Sequence, residues 1–134
     1  MKKHIQLFRH EADKGQYGDC HRTALACILN LDKPEHAPHF IGTHENLKKQ
    51  GEEFDWQAAQ ERWLNELGYT SVDIVYNGDM PITGLFEFMQ HRNPEALYLV
   101  GGTSPRGTNH TVVAHGGGFC HDPHPDGGFL VGPM

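Results

Sequence analysis

Four short β-prone runs crowd the last third of the chain, and they narrow the choice of fold more than any other feature. A-L-Y-L-V-G-G (96–102), H-T-V-V-A-H (110–115), G-F-C-H (118–121) and G-F-L-V (128–131) are separated by glycine-rich turns. Closely spaced strands joined by tight turns pair antiparallel, because a parallel pair needs a long crossover. Helix-forming runs come before them. In G-D-C-H-R-T-A-L-A-C-I-L-N-L (18–31), Asp19 is placed to cap a helix through its carboxylate, and Cys20, Ala24, Cys27, Ile28 and Leu31 line one stripe. Leu25, Ala26 and Leu29 fill much of the remaining circumference, so this helix is expected to be buried nearly all round. Asp55 caps a second helix with Trp56, Ala59, Trp63, Leu64 and Leu67 on its core face and Gly68 at its left-handed end. Thr83 opens a third through Leu85, Phe88 and Met89, which Pro94 forbids from continuing. Ile5–Phe8 and S-V-D-I-V-Y (71–76) read as further short strands, and residues 32–54 as a polar surface excursion with little regular structure. Helices segregated from an antiparallel sheet define an α+β class, with residues 1–134 as a single domain free of internal repeats.

Charge and cysteine usage exclude several roles. Eleven Lys and Arg against 17 Asp and Glu give a net charge of -6, with no basic cluster to meet a phosphate backbone, so nucleic acid is not an expected partner. M-K-K-H-I-Q-L-F-R-H lacks the apolar core of a signal peptide or membrane span, which points to a cytoplasmic protein with no membrane partner. Three cysteines (Cys20, Cys27, Cys120) make an odd set that argues for reduced thiols over a disulfide framework. The 11 histidines concentrate in 36–44 and 110–124, which brings acid-base or metal chemistry into view.

A cysteine at a helix N-terminus is where unsatisfied N–H groups and the helix dipole favour thiolate over thiol. Cys20 has that position, whereas Cys27, two turns deeper, reads as core. The helix alone leaves Cys20 open to either role, and the decisive pattern lies in R-G-T-N-H-T-V-V-A-H-G-G-G-F-C-H-D-P-H-P-D-G-G (106–128). With Gly116–Gly118 as a three-residue hairpin loop, His115 faces Phe119, Val112 faces Asp122 and His110 faces His124, so His110 and Asp122 project from one side as diagonal neighbours. A loop of even length would send them to opposite sides. Cysteine, histidine and aspartate then form a complete nucleophilic set, in which the carboxylate fixes the imidazole tautomer and stabilises the imidazolium.

A helix opening at G-D-C, a strand opening at N-H-T-V-V and a D-P turn together resemble the papain-like cysteine hydrolases. The chain is similar in particular to their compact bacterial branch that includes bacteriocin-leader peptidases, and to small bacterial and phage proteins with H-D-P-H-P segments. The resemblance covers 18–31 and 106–127 and implies a papain-like fold in which the Cys20 helix packs on the sheet. It implies Cys20 as nucleophile, His110 as general base and Asp122 as its orienting group, with a peptide or other amide or ester as substrate and no cofactor. It also implies an oxyanion hole from the Cys20 backbone N–H with Gln16 or Asp19, although Gln16 stands closer to the cysteine than the family's spacing.

Other features carry competing readings. Arg106 and Ser104 lie in a glycine-rich loop, G-G-T-S-P-R-G, available to contact substrate. His110, Asp122 and His124 on one face also make a set that suits zinc or iron, the signature of a metal-dependent hydrolase or oxygenase. A non-catalytic interaction protein of viral origin that keeps the papain-like shape is the third possibility. His36, His39 and His44 read as solvated, and Trp56 and Trp63 as core residues without chemistry.

Overall fold

Helix α1 spans Cys20–Ile28 in the computed structural model, which describes residues 1–76 and 81–133. Five consecutive residues, Thr23 to Cys27, are buried, so the helix is enclosed on all sides as its composition requires. Helices α2 (Phe40–Lys49), α3 (Trp56–Glu66) and α4 (Ile82–Arg92) follow. Strands β1 (Leu97–Thr103), β2 (Asn109–His115) and β3 (Gly118–His121) then form an antiparallel sheet in the order β1-β2-β3. The fold is α+β.

The sheet is covered on both faces. Val113 packs against Ala24 and Cys27 of α1, with Leu99 and Cys120 beside them. Val100, Val112 and Ala114 turn the other way, onto Leu85 and Met89 of α4 and onto Leu130. This alternation is the pleat of β2 expressed as two cores. Helices α2 and α3 pack on each other.

Several local expectations are corrected by tertiary context. The stretch 32–54 is not irregular: Pro34–His36 forms a single 3-10 turn and α2 occupies ten residues. Phe40 is buried edge-on against Trp63, and His39 Nδ1 caps the helix by accepting from Gly42 N–H at 3.2 Å. Polar composition concealed an amphipathic helix whose apolar partner is distant in sequence. Ile5–Phe8 and 71–76 form no strands; each is pinned by isolated bonds, Gln6 N–H to Pro123 C=O at 2.8 Å and Ser71 N–H to Glu61 at 3.2 Å. Residues 128–131 likewise form no strand, since Phe129 takes a φ of 53° and only Gly132 bridges to Thr103. Thr83 lies inside α4, which starts after Pro81, and Phe88 stays exposed. Asp55 does cap α3 by accepting from Ala58 N–H at 3.0 Å, and Gly68 has a φ of 88°.

The hairpin holds the most consequential correction. His115 pairs with Gly118, not Phe119, so the turn is the two residues Gly116 and Gly117. Gly116 has a φ of 53°, and a Cβ there would meet Pro94 O at 2.4 Å, so only glycine fits. An even loop alone would separate His110 from Asp122. The register shifts beyond Ala114–Phe119, however, and Val113 pairs with His121, which leaves Cys120 as the extra residue of a β-bulge. The bulge restores the parity that the short turn removes.

Candidate active site

Asp122 directly follows β3 and its carboxylate is held by three donors. Oδ1 accepts from His110 Nε2–H at 2.7 Å and from His124 N–H at 2.8 Å, and Oδ2 accepts from Phe129 N–H at 2.8 Å. The bond to His124, two residues on, is an Asx turn, so the D-P-H-P corner shapes the loop and aims the carboxylate at once. Burial by itself would raise the Asp122 pKa, but the His110 bond and the backbone donors lower it below the usual carboxylate range.

His110 lies near the start of β2 and is 5% exposed. With Nε2 committed to Asp122, Nδ1 is the ring nitrogen left for another partner. Cys20 shares a cavity wall with this ring and is near enough to act on its charge. Burial opposes the charged imidazole, yet bonds to Asp122 and Cys20 and the Coulombic pull of both raise its pKa to about 9. Cys20 itself is the first residue of α1 and only half-buried, with its backbone N–H among those that have no acceptor within the helix. Cys20 and His110 line one cavity of about 1310 Å³, and Asp122 stands behind the histidine. Cys27 is fully buried and belongs to the core.

Asp19 precedes the helix, but its carboxylate does not cap it. The side chain is fully buried and accepts from Phe8 N–H at 2.8 Å and Arg22 Nε–H at 3.0 Å, while its backbone carbonyl receives Thr23. A buried carboxylate needs charge-assisted partners, and Arg22 and the N-terminal segment supply them better than the first helical turn does. Asp19 thus braces the helix start. Gln16 is also displaced from its expected role: its Nε2–H donates to Arg9 C=O at 2.7 Å, and it does not line the cavity.

Gln6 does line it, as does Gln60 of α3. Its backbone N–H is tied to Pro123, next to Asp122, and its Nε2 donates to Phe8 C=O at 2.7 Å, whose N–H is tied to Asp19, next to Cys20. Among the described residues Nε2 makes no second bond, and the buried Oε1 has no partner. No local motif marks this residue; only the docking of an extended N-terminal segment between α1 and the Asp122 loop brings it there.

His21 was also silent in the sequence, where Trp56 reads only as core. His21 Nε2–H donates to Gln60 Oε1 at 2.6 Å, Nδ1 accepts from the Thr111 hydroxyl at 3.4 Å, and the ring meets Trp56 edge-on. Burial lowers its pKa, against the raising effect of Gln60, so the ring is a neutral clasp joining α1, α3 and β2 beside Cys20. Trp56 and Trp63 are half-buried, not core, and Trp56 forms cavity wall.

The remaining candidates divide. Arg106 lines the cavity with an exposed guanidinium steadied by Gly127 C=O at 3.0 Å. Ser104 is buried and bonds Thr108 and the Arg106 N–H, so it positions the loop and does not reach the cavity. His39 and His44 are not simply solvated: each donates to a backbone carbonyl, of Tyr17 and Phe54. His124 sits edge-on to His110 with ring centroids 6.0 Å apart, and its Nδ1 accepts from Asp126 N–H. Burial and nearby Arg106 lower the His124 pKa. Among the described residues no group of three His, Cys, Asp or Glu side chains is arranged to hold a metal ion, and His110 and Asp122 bond each other directly.

No helix among the described residues is long and apolar enough to cross a membrane. Searches against protein-family models, curated proteins and solved structures find no match to the chain.

Proposed function

We propose that the chain is a papain-like thiol hydrolase that cleaves an amide or ester through a Cys20–His110–Asp122 triad. The observation that carries this reading is the conjunction at one cavity: a partly buried cysteine at a helix head, in the same wall as an imidazole whose Nε2 is held by a carboxylate with three donors. With the Cys20 proton on His110 Nδ1, the thiolate adds to the substrate carbonyl carbon. The carbonyl oxygen becomes an oxyanion, for which the Cys20 backbone N–H and the second Nε2 hydrogen of Gln6 are the available donors. His110 returns its proton to the departing nitrogen or oxygen as the carbon–heteroatom bond breaks, leaving a thioester on Cys20. Water, deprotonated by His110, then attacks the thioester and regenerates the thiol. Asp122 holds the ring in the Nε2–H tautomer throughout and offsets its charge.

The direct test is alkylation with iodoacetamide near neutral pH, read by peptide mapping. Cys20 is expected to label well ahead of Cys27 and Cys120, and His110→Ala is expected to remove that advantage. Equal, slow labelling of all three thiols in the wild-type protein would overturn the proposal.

A further inference from the structure

Strand β1 is the edge of the sheet, and its outward backbone groups divide into two sets. The even residues face β2: Ala96 C=O accepts from Gly116 N–H at 3.0 Å, and the pairs Tyr98–Ala114, Val100–Val112 and Gly102–His110 continue that register. The odd residues therefore point away from the sheet. At one end of the strand those groups are already satisfied. Thr103 exchanges bonds with Val131 and Gly132, at 2.8 and 2.9 Å, and Gly101 C=O accepts from the Tyr76 hydroxyl at 2.7 Å. At Leu97 and Leu99 the outward N–H and C=O groups have no partner among the described residues.

That open stretch is part of the cavity wall that contains Cys20. Leu97, Leu99 and Gly101 line the cavity, with Trp56 and Leu64 of α3 also in its wall. Gly101 faces Thr111 across the ladder, and Thr111 holds His21, the residue after Cys20. A path from the open edge to the thiol thus crosses a residue that has no side chain to obstruct it.

Resting on the thiol-hydrolase reading, we infer that the substrate is an extended polypeptide that adds as a strand to β1 at Leu97 and Leu99 and crosses Gly101 to present its scissile carbonyl to Cys20. Two donors and two acceptors repeating every second residue match the backbone of an extended chain, and a compact amide would leave most of them unused. The apolar wall from Trp56 and Leu64 favours apolar side chains upstream of the cleaved bond.

The test uses the full chain and acetyl-tetrapeptidyl chloromethyl ketones built from leucine and alanine, with the parent compared to versions N-methylated at one backbone nitrogen each. Methylation at alternate nitrogens is expected to slow Cys20 inactivation about tenfold, because only alternate N–H groups meet the edge. Hydrogen exchange at the Leu97 and Leu99 amides is expected to slow in the peptidyl adduct but not in the carboxamidomethyl adduct. Leu99→Pro, which removes the outward N–H that would meet an inhibitor carbonyl and leaves the bonds to β2 in place, is expected to slow inactivation by the parent inhibitor about tenfold while leaving iodoacetamide labelling of Cys20 unchanged. Indifference to methylation at every position, with Cys20 still labelled rapidly by iodoacetamide, would overturn the docking and leave the thiol chemistry standing. Failure of iodoacetamide itself would instead count against the hydrolase. Protection of both amides without inhibitor, rising with protein concentration, would show that a second copy closes the edge and would also overturn the proposal.

Discussion

Asp122 shows how much a single side chain can organise. Its two oxygens hold the imidazole and two backbone N–H groups, so it orients the proposed base and folds its own loop. Asp122→Asn keeps the shape but not the charge that helps to hold His110 protonated up to about pH 9. The descending limb of the hydrolysis pH profile, where the imidazolium proton is lost, is expected near pH 9 in the wild-type protein and at lower pH in the variant. Steady-state rates from pH 6 to 10 read this directly. Gln6→Ala is expected to lower kcat by about 10²-fold with little change in KM, as loss of an oxyanion donor does. Gln16→Ala, away from the cavity, is expected to leave kcat within about twofold of wild type, since surface changes away from special features are nearly neutral. The contrast between the two glutamines is measured with one substrate.

At the level of elements, the β-bulge is the device that assembles the site. A two-residue turn with an unbroken ladder would turn Asp122 to the wrong face, and Cys120 is the extra residue that turns it back. Deletion of Cys120 is expected to abolish hydrolysis and the His110 pKa elevation, whereas Cys120→Ser keeps the parity and the activity; histidine NMR titration and rate measurements check both. Helix α2 illustrates a different dependence. Its residues are too polar to announce a helix, and its stability comes from Phe40 against Trp63. Phe40→Ala is expected to cost about 3 kcal/mol in urea unfolding, the range for a buried phenylalanine, with loss of helical circular dichroism. The N-terminal half was legible where periodicity is local, as in α1 and α3, and illegible where a partner from elsewhere decides, as in α2 and the segment around Gln6.

For the molecule as a whole, the buried His110–Asp122 pair links folding to pH. The His110 pKa is raised above 6.5 in the folded chain, so its stabilising share is complete below that value and fades as pH rises through about 9. The Asp122 pKa is lowered, so its share is present above the ordinary carboxylate value and is lost as pH falls through the depressed one. The stability gap between wild type and Asp122→Asn is therefore expected to be widest near neutrality and to narrow above about pH 9 and in acid, as read from urea midpoints. The same architecture sandwiches the sheet between α1 and α4 and, among the described residues, leaves the outward backbone groups of Leu97 and Leu99 on β1 without partners beside the cavity. The proposed substrate strand would add at those two residues.

Helices ahead of an antiparallel sheet, the buried helix headed by Cys20 and the pairing of a strand that carries His110 with one that leads to Asp122 were determined by the sequence itself, because they rest on periodicity and turn chemistry within short windows. Tertiary structure decided which N-terminal glutamine enters the cavity, where the Asp19 carboxylate finds its donors and how a bulge recovers the facing of Asp122. Those outcomes depend on groups far apart in the chain competing for a few buried hydrogen bonds, and the best-satisfied arrangement appears only once the core has closed around them.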